Sequence, residues 1–285
     1  MPSTRDIRRR IKSVKNTAQI TKAMQMVAAS KMRKAQAAAV AGHPYVVLLN
    51  RMLVALEGHV NPTAHPLLEV REVKKELVLV VSTDKGLCGG LNTNLFREIT
   101  KFDSTKTDFV SIGRKGKQFL ARSKRNLLAD FELSDRPSFL QVKQVSKFIV
   151  EKFLAKDVDK VTILFSRFVN TLTQEPRAAT LLPLAALPVN KEIEKDTPEG
   201  AQFIFEPDEE KVLDQLLPYY IHYLVYQAVL DARASEHSAR MVAMKSATDN
   251  AKGLVKDLTL EYNKVRQAAI TNELLEITTA QMALG

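Results

Sequence analysis

Apolar residues recur at alternating intervals of four and three near the start of the chain. From Ile7 onward, this spacing meets the series Ile7, Ile11, Val14, Ala18, Thr21, Gln25, Ala28, Met32, Ala35 and Ala39. Only Thr21 and Gln25 in the series are polar. An apolar repeat of 3.5 residues is typical of the seam of a left-handed coiled coil. The pattern therefore predicts a long N-terminal helix with one face set against a partner helix.

Capping and helix-breaking residues indicate where this helix begins and ends. Ser3 is a helix-capping residue, and Asp6 three positions later completes a variant of the capping box. Gly42-His43-Pro44 predicts a break or a kink, after which a second helical stretch covers residues 45–57. We therefore expect an N-terminal helical segment over residues 1–60.

The last part of the chain has a matching repeat. Its seam, in alternate steps of three and four, is Met241, Met244, Thr248, Ala251, Val255, Leu258, Tyr262, Val265 and Ala269. No proline follows Pro218, and Gly253 is the only glycine between it and the terminal Gly285. This predicts one helical segment over residues 208–285. The two ends of the chain are therefore expected to pair as an antiparallel coiled coil, although a globular helix bundle uses the same spacing.

Between these helices the pattern changes to short apolar runs that alternate with helical stretches. The runs predict strands at residues 77–81, 109–112, 161–165 and 178–182, and the helical stretches lie at residues 92–102 and 138–154. This alternation predicts a Rossmann-like α/β domain with a largely parallel sheet over residues 70–207. Residues 191–200 are polar and turn-rich, which predicts an exposed loop there.

The charge is unevenly distributed along the chain, which carries a net charge of +10. Residues 1–57 contain eleven basic and two acidic residues, whereas residues 208–285 contain eight basic and eleven acidic ones. Two such segments attract each other weakly when they lie side by side. The basic face that remains open is compatible with nucleic acid or an anionic membrane, with an acidic protein partner, or with simple solvation.

The residue composition also limits the class of protein. The single cysteine, Cys88, rules out an intramolecular disulfide and a cysteine-based metal site. No apolar run has the roughly 18 residues needed to cross a bilayer. The Arg-rich start resembles a transit peptide in composition, but its helical pattern continues past residue 30 without interruption. We therefore interpret it as part of the folded protein.

A glycine-rich segment at residues 82–92, STDKGLCGGLN, joins a predicted strand to a predicted helix, where phosphate-binding loops are found. It lacks the Gly-Lys-Ser/Thr ending of a P-loop and the Gly-x-Gly-x-x-Gly pattern of dinucleotide sites. No histidine lies near Cys88 in the sequence, and the five histidines lack metal-ligand spacing. Asp84 has no evident carboxylate partner for acid–base chemistry. We expect no catalytic residue, cofactor site or metal site.

Three segments resemble the gamma subunit of F-type ATP synthases. Residues 20–34 read ITKAMQMVAASKMRK and are similar to the N-terminal signature of that family, and residues 82–92 are similar to its glycine loop. Residues 235–251, SEHSARMVAMKSATDNA, are similar to its C-terminal signature, which is the most specific of the three. The resemblance covers nearly the whole chain in the family's order and is weakest around residues 101–140.

The resemblance implies a noncatalytic rotor shaft. In this family the coiled coil threads a ring of three alpha and three beta subunits, and the α/β domain lies near the epsilon subunit and the membrane ring of c subunits. Ion flow turns the shaft, whose changing faces bias the beta subunits toward ATP synthesis. The regulatory insert of chloroplast members is absent, so the resemblance implies a bacterial member, peripheral to the cytoplasmic side of the plasma membrane.

The resemblance also implies partner contacts for individual residues. One group of residues resembles the part of the shaft that passes the acidic lever loop of beta: Lys22, Met24, Lys31, Arg33 and Lys34. Lys85 in the glycine loop is similar to a second contact with beta. Those similar to upper contacts on the C-terminal helix are Arg240, Gln267, Thr271 and Glu273, with Arg266 beside them. Those similar to the foot that meets the c ring are Phe203, Phe205, Glu206 and Asp208.

Overall fold

The computed structural model describes residues 3–57, 65–184 and 208–284. The chain divides into two compact units. One unit combines Met1–Ala29 with Arg240–Gly285, and the other is Ser30–Ala239. Each unit is described below by itself.

The N-terminal helix, α1, extends from Thr4 to Glu57 as one element. The Ser3 hydroxyl donates to Asp6 at 2.7 Å and accepts from the Asp6 amide at 3.2 Å, as the capping pattern predicts. Of the two alternatives predicted at Gly42-His43-Pro44, a break or a kink, the break is wrong, because the helix continues through Pro44.

Packing around Gly42 holds the helix together at this point. The Tyr223 hydroxyl donates to the Gly42 carbonyl at 2.7 Å, and the Tyr45 ring lies 5.4 Å from that of Tyr223. A Cβ on Gly42 would meet the Tyr223 hydroxyl at 2.3 Å, so only glycine permits this approach. Leu49, one turn further on, is buried in the core. Tertiary contacts therefore offset the backbone hydrogen bond that Pro44 removes.

The C-terminal helix, which we label α5, extends from Glu209 to Leu284, close to the predicted bounds. Asp208 caps it by accepting from the Lys211 amide at 2.8 Å. The Lys211 ammonium also contacts the Asp208 carboxylate at 2.8 Å, and these contacts lower the pKa of Asp208.

The first unit is the predicted pairing of α1 with α5. Every predicted seam position of α1 within this unit, from Ile7 to Ala28, is buried or half-buried, and so is every seam position of α5 except Ala269. The Thr21 and Thr248 hydroxyls are hydrogen-bonded at 2.7 Å, and the Arg8 guanidinium donates to the Tyr262 hydroxyl at 2.6 Å. Residue numbers rise along one helix as they fall along the other, so the pair is antiparallel, as predicted.

Ala269 is exposed because α1 begins only at Thr4. Ile7 is the first buried seam residue of α1, and its neighbour Arg8 already contacts Tyr262. Val265 is the last seam residue of α5 that is half-buried. Residues 266–282 are accordingly exposed on all sides within this unit.

The buried threonine pair permits a test of this seam. Thr248 is 2% exposed and also donates to the Met244 carbonyl at 2.8 Å. We expect Thr248→Val to lower the free energy of unfolding by about 0.5–1.5 kcal/mol, the usual net contribution of one hydrogen bond. The double variant Thr21→Val/Thr248→Val should lose less than twice that amount, because one shared bond is removed. Urea unfolding of Thr21→Val, Thr248→Val and the double variant would measure this coupling, and additive losses would contradict the contact.

The second unit contains a five-stranded sheet. Its strands are β1 (Glu76–Val81), β2 (Thr107–Ile112), β3 (Asn126–Phe131), β4 (Lys160–Phe168) and β5 (Gln174–Leu182). Its shorter helices are α2 (Leu91–Ile99), α3 (Arg114–Arg122) and α4 (Phe139–Leu154). The order is β3-β2-β1-β4-β5, with β5 antiparallel to β4 and the other pairings parallel. The predicted Rossmann-like, largely parallel sheet is thereby confirmed.

Two elements of this unit were not predicted, β3 and α3. Strand β3 lies at the sheet edge and alternates exposed with half-buried residues, and its apolar run covers only residues 127–129. Helix α3 is nine residues long and contains Gly116, which lowers helix propensity. The four predicted strands and the two predicted helices are all present. The predicted loop at residues 191–200 lies outside the described residues.

Successive residues of β1 face opposite sides of the sheet, as expected for a strand. Leu77 and Leu79 join a core formed with α4, α5 and Leu49 of α1. Val78 and Val80 join a second core formed with α2 and α3. The sheet is therefore covered on both faces, which is the arrangement required of parallel strands.

Candidate functional site

The carboxyl ends of β1 and β4 meet where the sheet order reverses. In doubly wound folds, ligands bind in the crevice at this point. Here the crevice is filled by α5: the Ser235 hydroxyl donates to the Ser166 carbonyl at 2.9 Å, and the Ser238 hydroxyl donates to the Thr171 carbonyl at 2.8 Å. The cavity that remains has a volume of about 10 Å³. This is room for about one water molecule and not for a nucleotide.

The amino end of α3 is occupied in a similar way. The Arg114 amide donates to Asp84 Oδ1 at 3.2 Å, and the Lys115 amide donates to the Thr83 carbonyl at 3.0 Å. Gly113 has φ of +93°, and a Cβ there would lie 2.5 Å from the Ser82 carbonyl oxygen. Backbone donors that hold phosphate in nucleotide-binding proteins are thus directed at the protein's own oxygens.

The glycine loop that follows β1 is held in an unusual backbone conformation. Leu87 has φ of +63°, which is uncommon for a residue with a side chain, yet its side chain is exposed. Cys88 is buried beside Leu91 and Ala239, and the Asn92 amide donates to its Sγ at 3.4 Å. The loop is therefore fastened against α5 and presents its outer surface to solvent.

Arg233 of α5 is the centre of a buried ion cluster. Its guanidinium donates to Glu236 at 2.9 Å and to Asp84 at 3.2 Å. It also donates to the carbonyls of Leu133 and Ser134, at 3.2 Å and 3.5 Å. Burial disfavours the charge of Arg233, but the two carboxylates outweigh that effect and raise its pKa. The cluster joins α5 to the loops that follow β1 and β3.

A second ion pair joins α1 to the loop after β3. The Lys31 ammonium donates to Asp135, the residue that follows Ser134. Partial burial disfavours ionisation of Asp135, but the hydrogen bond and charge of Lys31 outweigh it, so the pKa of Asp135 is lowered. The positive charges of His237 and Arg233 act in the same direction.

We expect Asp135→Asn to destabilise the protein in a pH-dependent way. A carboxyl group whose pKa is depressed on folding contributes stability that is fully present above its unfolded value, 3.8, and is lost as the pH falls through the lower folded value. The difference in unfolding free energy between wild type and Asp135→Asn should therefore be largest at neutral pH and shrink in acid. In a Lys31→Met background the same substitution should have a smaller effect, and an undiminished effect would contradict the pairing.

The residues expected on the basic face of α1 differ in their surroundings. Lys22 is exposed, and its ammonium donates to the Gln25 side chain at 3.3 Å. Met24 is half-buried, while Arg33 and Lys34 are exposed. The Lys31 ammonium is paired with Asp135.

The other expected contact residues are spread over both units. Lys85 is exposed in the glycine loop, where its carbonyl accepts from the Thr83 hydroxyl at 2.8 Å. Arg240 is half-buried on α5 and makes contacts within the chain. The residues on the uncovered part of α5, all exposed, are Arg266, Gln267, Thr271 and Glu273. Asp208 is the cap of α5, whereas Phe203, Phe205 and Glu206 lie outside the described residues.

Sequence reasoning missed the acids of the ion clusters. Asp84 was considered only for acid–base chemistry, and Asp135 was not considered. The available signal was the spacing of Arg233 and Glu236, which at three residues apart share one face of a helix. Their partners come from loops about a hundred residues away or more, and no local pattern identifies such partners.

Two features are absent from residues 3–57, 65–184 and 208–284. No cluster of three histidine, cysteine or acidic side chains suited to a metal ion is present there. None of the helices in those ranges combines the length and apolarity that crossing a membrane requires.

The fold and its surfaces define a class of protein. Its two ends form a coiled coil, its sheet crevice is filled by one of those helices, and the end of α5 carries exposed apolar residues: Ile270, Leu274, Leu275, Ile277 and Met282. Exposed apolar residues in such a group mark surfaces that other chains cover. This is a coiled-coil subunit of a larger assembly.

Comparison with known proteins identifies the family. The family model described as ATP synthase matches residues 3–284. The ATP synthase gamma chain of Opitutus terrae is 54% identical over 99% of both chains, and that of Methylacidiphilum infernorum is 52% identical over the full length of both. The chain belongs to the ATP synthase gamma chain family.

Solved structures agree with this assignment. The central stalk and c-ring structure of the Tetrahymena thermophila mitochondrial ATP synthase contains a chain with a TM-score of 0.64 and 26% identity, over 80% of this chain and 99% of that one. A rotor chain of the Euglena gracilis mitochondrial ATP synthase shares the fold, with a TM-score of 0.67 and 20% identity. The match covers 94% of this chain and 98% of that one. The expected central-stalk rotor subunit is confirmed, and nucleic-acid binding gains no support.

Proposed function

We propose that this chain works as a noncatalytic shaft, coupling proton flow through a membrane c ring to ATP synthesis in a ring of alpha and beta subunits. One observation carries the proposal. The antiparallel pair of α1 and α5 ends near Arg8 and Tyr262, and α5 then continues alone with apolar and charged residues exposed. A surface of this kind needs surrounding chains to cover it.

Coupling by such a shaft is a matter of differential binding. A ligand shifts an equilibrium between conformations only by as much as its affinities for them differ. A two-helix rod has different residues on each side, so each beta subunit would meet a different surface as the rod turns. The rod then acts as a ligand whose orientation selects the conformation of each catalytic site.

The basic stretch of α1 is proposed to contact the acidic lever loop of beta. Its residues in this proposal are Lys22, Met24, Lys31, Arg33 and Lys34, with Lys85 forming a second contact. The exposed ammonium and guanidinium groups of Lys22, Arg33 and Lys34 suit a contact that must form and break, because rim charges speed association more than they slow release. Lys31 would share its ammonium between Asp135 and the lever.

The uncovered end of α5 is proposed to rotate against the upper part of the ring. Its polar contacts in this proposal are Arg266, Gln267, Thr271 and Glu273, and Arg240, nearer the start of α5, is proposed as a further contact with the ring. Five large apolar residues on the same stretch are exposed, with Met282 at 84%. Apolar contact is non-directional, so it suits a surface that must slide past several partners.

At the other end, Phe203, Phe205, Glu206 and Asp208 are proposed to meet the c ring and the epsilon subunit. Through these contacts the chain would be peripheral to the cytoplasmic face of a bacterial plasma membrane. The cap that Asp208 forms on α5 supports this role, because it fixes where the helix starts beside the contact.

The filled crevice supports a noncatalytic role. A sheet of this order binds nucleotides at its switch point, and here that point is taken by Ser235, Ser238 and Arg233 of α5. We expect no ATP hydrolysis by the purified chain. Turnover that survived purification and was lost on substituting residues of this chain would argue for an enzyme instead.

Reconstitution tests the proposal as a whole. The chain, co-expressed with the alpha and beta subunits of its own organism, should co-purify with them, and the complex with the membrane sector should pump protons when supplied with ATP. Omitting the chain should abolish pumping. Failure to associate, or pumping without the chain, would overturn the proposal.

A further inference from the structure

We propose that the Arg233 cluster and the Lys31–Asp135 pair form the torque-bearing linkage between the two long helices and the α/β domain. In this role Arg233 and Lys31 are positioning residues that fix α5 and α1 to the loops at the carboxyl edge of the sheet. The inference rests on the proposed shaft function and adds where in the chain the mechanical load is carried.

Arg233 fixes α5 from three directions. Its guanidinium reaches Asp84 in the loop after β1 and the carbonyls of Leu133 and Ser134 after β3, while Glu236 holds it from one helical turn away. The residue is 4% exposed, so these bonds form away from bulk water. Charge-assisted bonds of a planar guanidinium are directional and stronger than neutral ones.

Asp84 extends the linkage into the domain. One carboxylate oxygen accepts from Arg233 and the other accepts from the backbone amide of Arg114, the first residue of α3. A force on α5 would therefore reach the loop after β1 and the start of α3 through a single side chain.

Lys31 provides the corresponding fastening for α1. Its partner Asp135 follows directly after Ser134, which accepts from Arg233. Both long helices are thus tied to one short loop between β3 and α4. Because α1 and α5 each continue beyond this unit along the chain, both would bring load to the same loop.

Apolar packing alone would resist this load less well. The core beneath α5 is made of Leu, Val and Tyr side chains, and such contacts are non-directional. Sliding or twisting of a helix over an apolar surface replaces one set of contacts with another. Turning α5 relative to the sheet would instead break the bonds of Arg233 and leave a buried charge without partners, which is strongly unfavourable.

Angular fluctuation of the α/β domain in the assembled complex measures this linkage. The ring is immobilised and halted, and a probe is attached to Leu140→Cys on α4, where the native side chain is 72% exposed and the native Cys88 is buried. The test variants are Arg233→Met and Lys31→Met. Arg233→Lys keeps the positive charge but lacks the planar guanidinium group that forms several directional hydrogen bonds. The matched control is Lys117→Met, whose native ammonium pairs with Asp130 at 2.8 Å within the domain and outside the linkage.

We expect the angular variance of the probe to roughly double in each test variant, because one of two parallel linkages is lost; in Arg233→Met the lost linkage is a buried charge cluster. Arg233→Lys should lie between Arg233→Met and wild type, and Lys117→Met should equal wild type. A general loss of stability would not produce this ranking of the variants by angular variance. Lys31 is partly exposed, so its variant tests the linkage even where Arg233→Met fails to fold.

Unchanged variance in Lys31→Met and in every Arg233 variant that assembles would overturn the inference. So would equal broadening in Lys117→Met, since the linkage would then not be specific. Both outcomes leave the shaft function intact if the probe still rotates when ATP is supplied. A probe that never rotates during hydrolysis would instead overturn the proposed function itself.

Discussion

Replacing Met24 with lysine is expected to abolish proton pumping in the assembled complex while ATP hydrolysis continues. Met24 is a half-buried apolar residue on the basic stretch of α1, two positions from Lys22. A new ammonium in this partly desolvated position would pair with the acidic lever proposed to pass it, adding on the order of 1–3 kcal/mol of attraction. A contact that must be released at every step would then be released too slowly, and hydrolysis would no longer be tied to rotation under load.

The measurement is the ratio of protons pumped to ATP hydrolysed in reconstituted vesicles. Ala38→Lys is the matched control, because Ala38 is an exposed residue of the same helix roughly 20 Å further along. Both variants should fold, since lysine has good helix propensity. Wild-type pumping by Met24→Lys, or equal loss in Ala38→Lys, would contradict the contact assigned to Met24.

Removal of residues 276–285 is expected to weaken the complex without unfolding the chain. Residues 266–282 of α5 are all exposed within their own unit. Such a segment contributes little to the global stability of the isolated chain. Its exposed apolar residues Ile277 and Met282 would contribute only where a ring surrounds them, so torque and turnover of the complex should fall severalfold.

Thermal unfolding of the isolated chain and stall torque of the complex separate these effects. The melting temperature should change by less than about 2 °C, because the truncation removes no buried contact. Leu274→Ser shortens an exposed apolar side chain of the same stretch without truncation and should reduce torque by a smaller amount. A truncated chain that melts far lower would show that the end of α5 stabilises the fold.

The coiled coil was predictable because its information is local and repetitive. From Ile7 to Ala28 a seam residue recurs at each turn of α1, and the same spacing recurs on α5 from Met241 to Val265. The one seam position that failed, Ala269, lies beyond the start of α1. The local sequence around Ala269 contains no signal that shows where the partner helix α1 ends.

Three of the four predicted strands of the α/β domain, β1, β2 and β4, are buried along most of their length, and the fourth, β5, is buried only at its end. Edge strand β3 was not predicted, and it differs from these strands in that exposed and half-buried residues alternate along its whole length. The uninterrupted helix at Pro44 and the clustering of Asp84 with Arg233 depend on contacts across more than a hundred residues of chain. Tertiary packing overrides local helix-breaking signals in the first case and creates a site without a motif in the second.

Direct observation of rotation tests the central claim. A probe on Leu140→Cys, in a complex whose alpha and beta subunits are fixed to a surface, should turn continuously in one direction when ATP is added and stop when ATP is exhausted. A complex that hydrolyses ATP at its normal rate while the probe keeps a fixed angle would contradict the account, because a chain that does not turn cannot carry torque to the membrane.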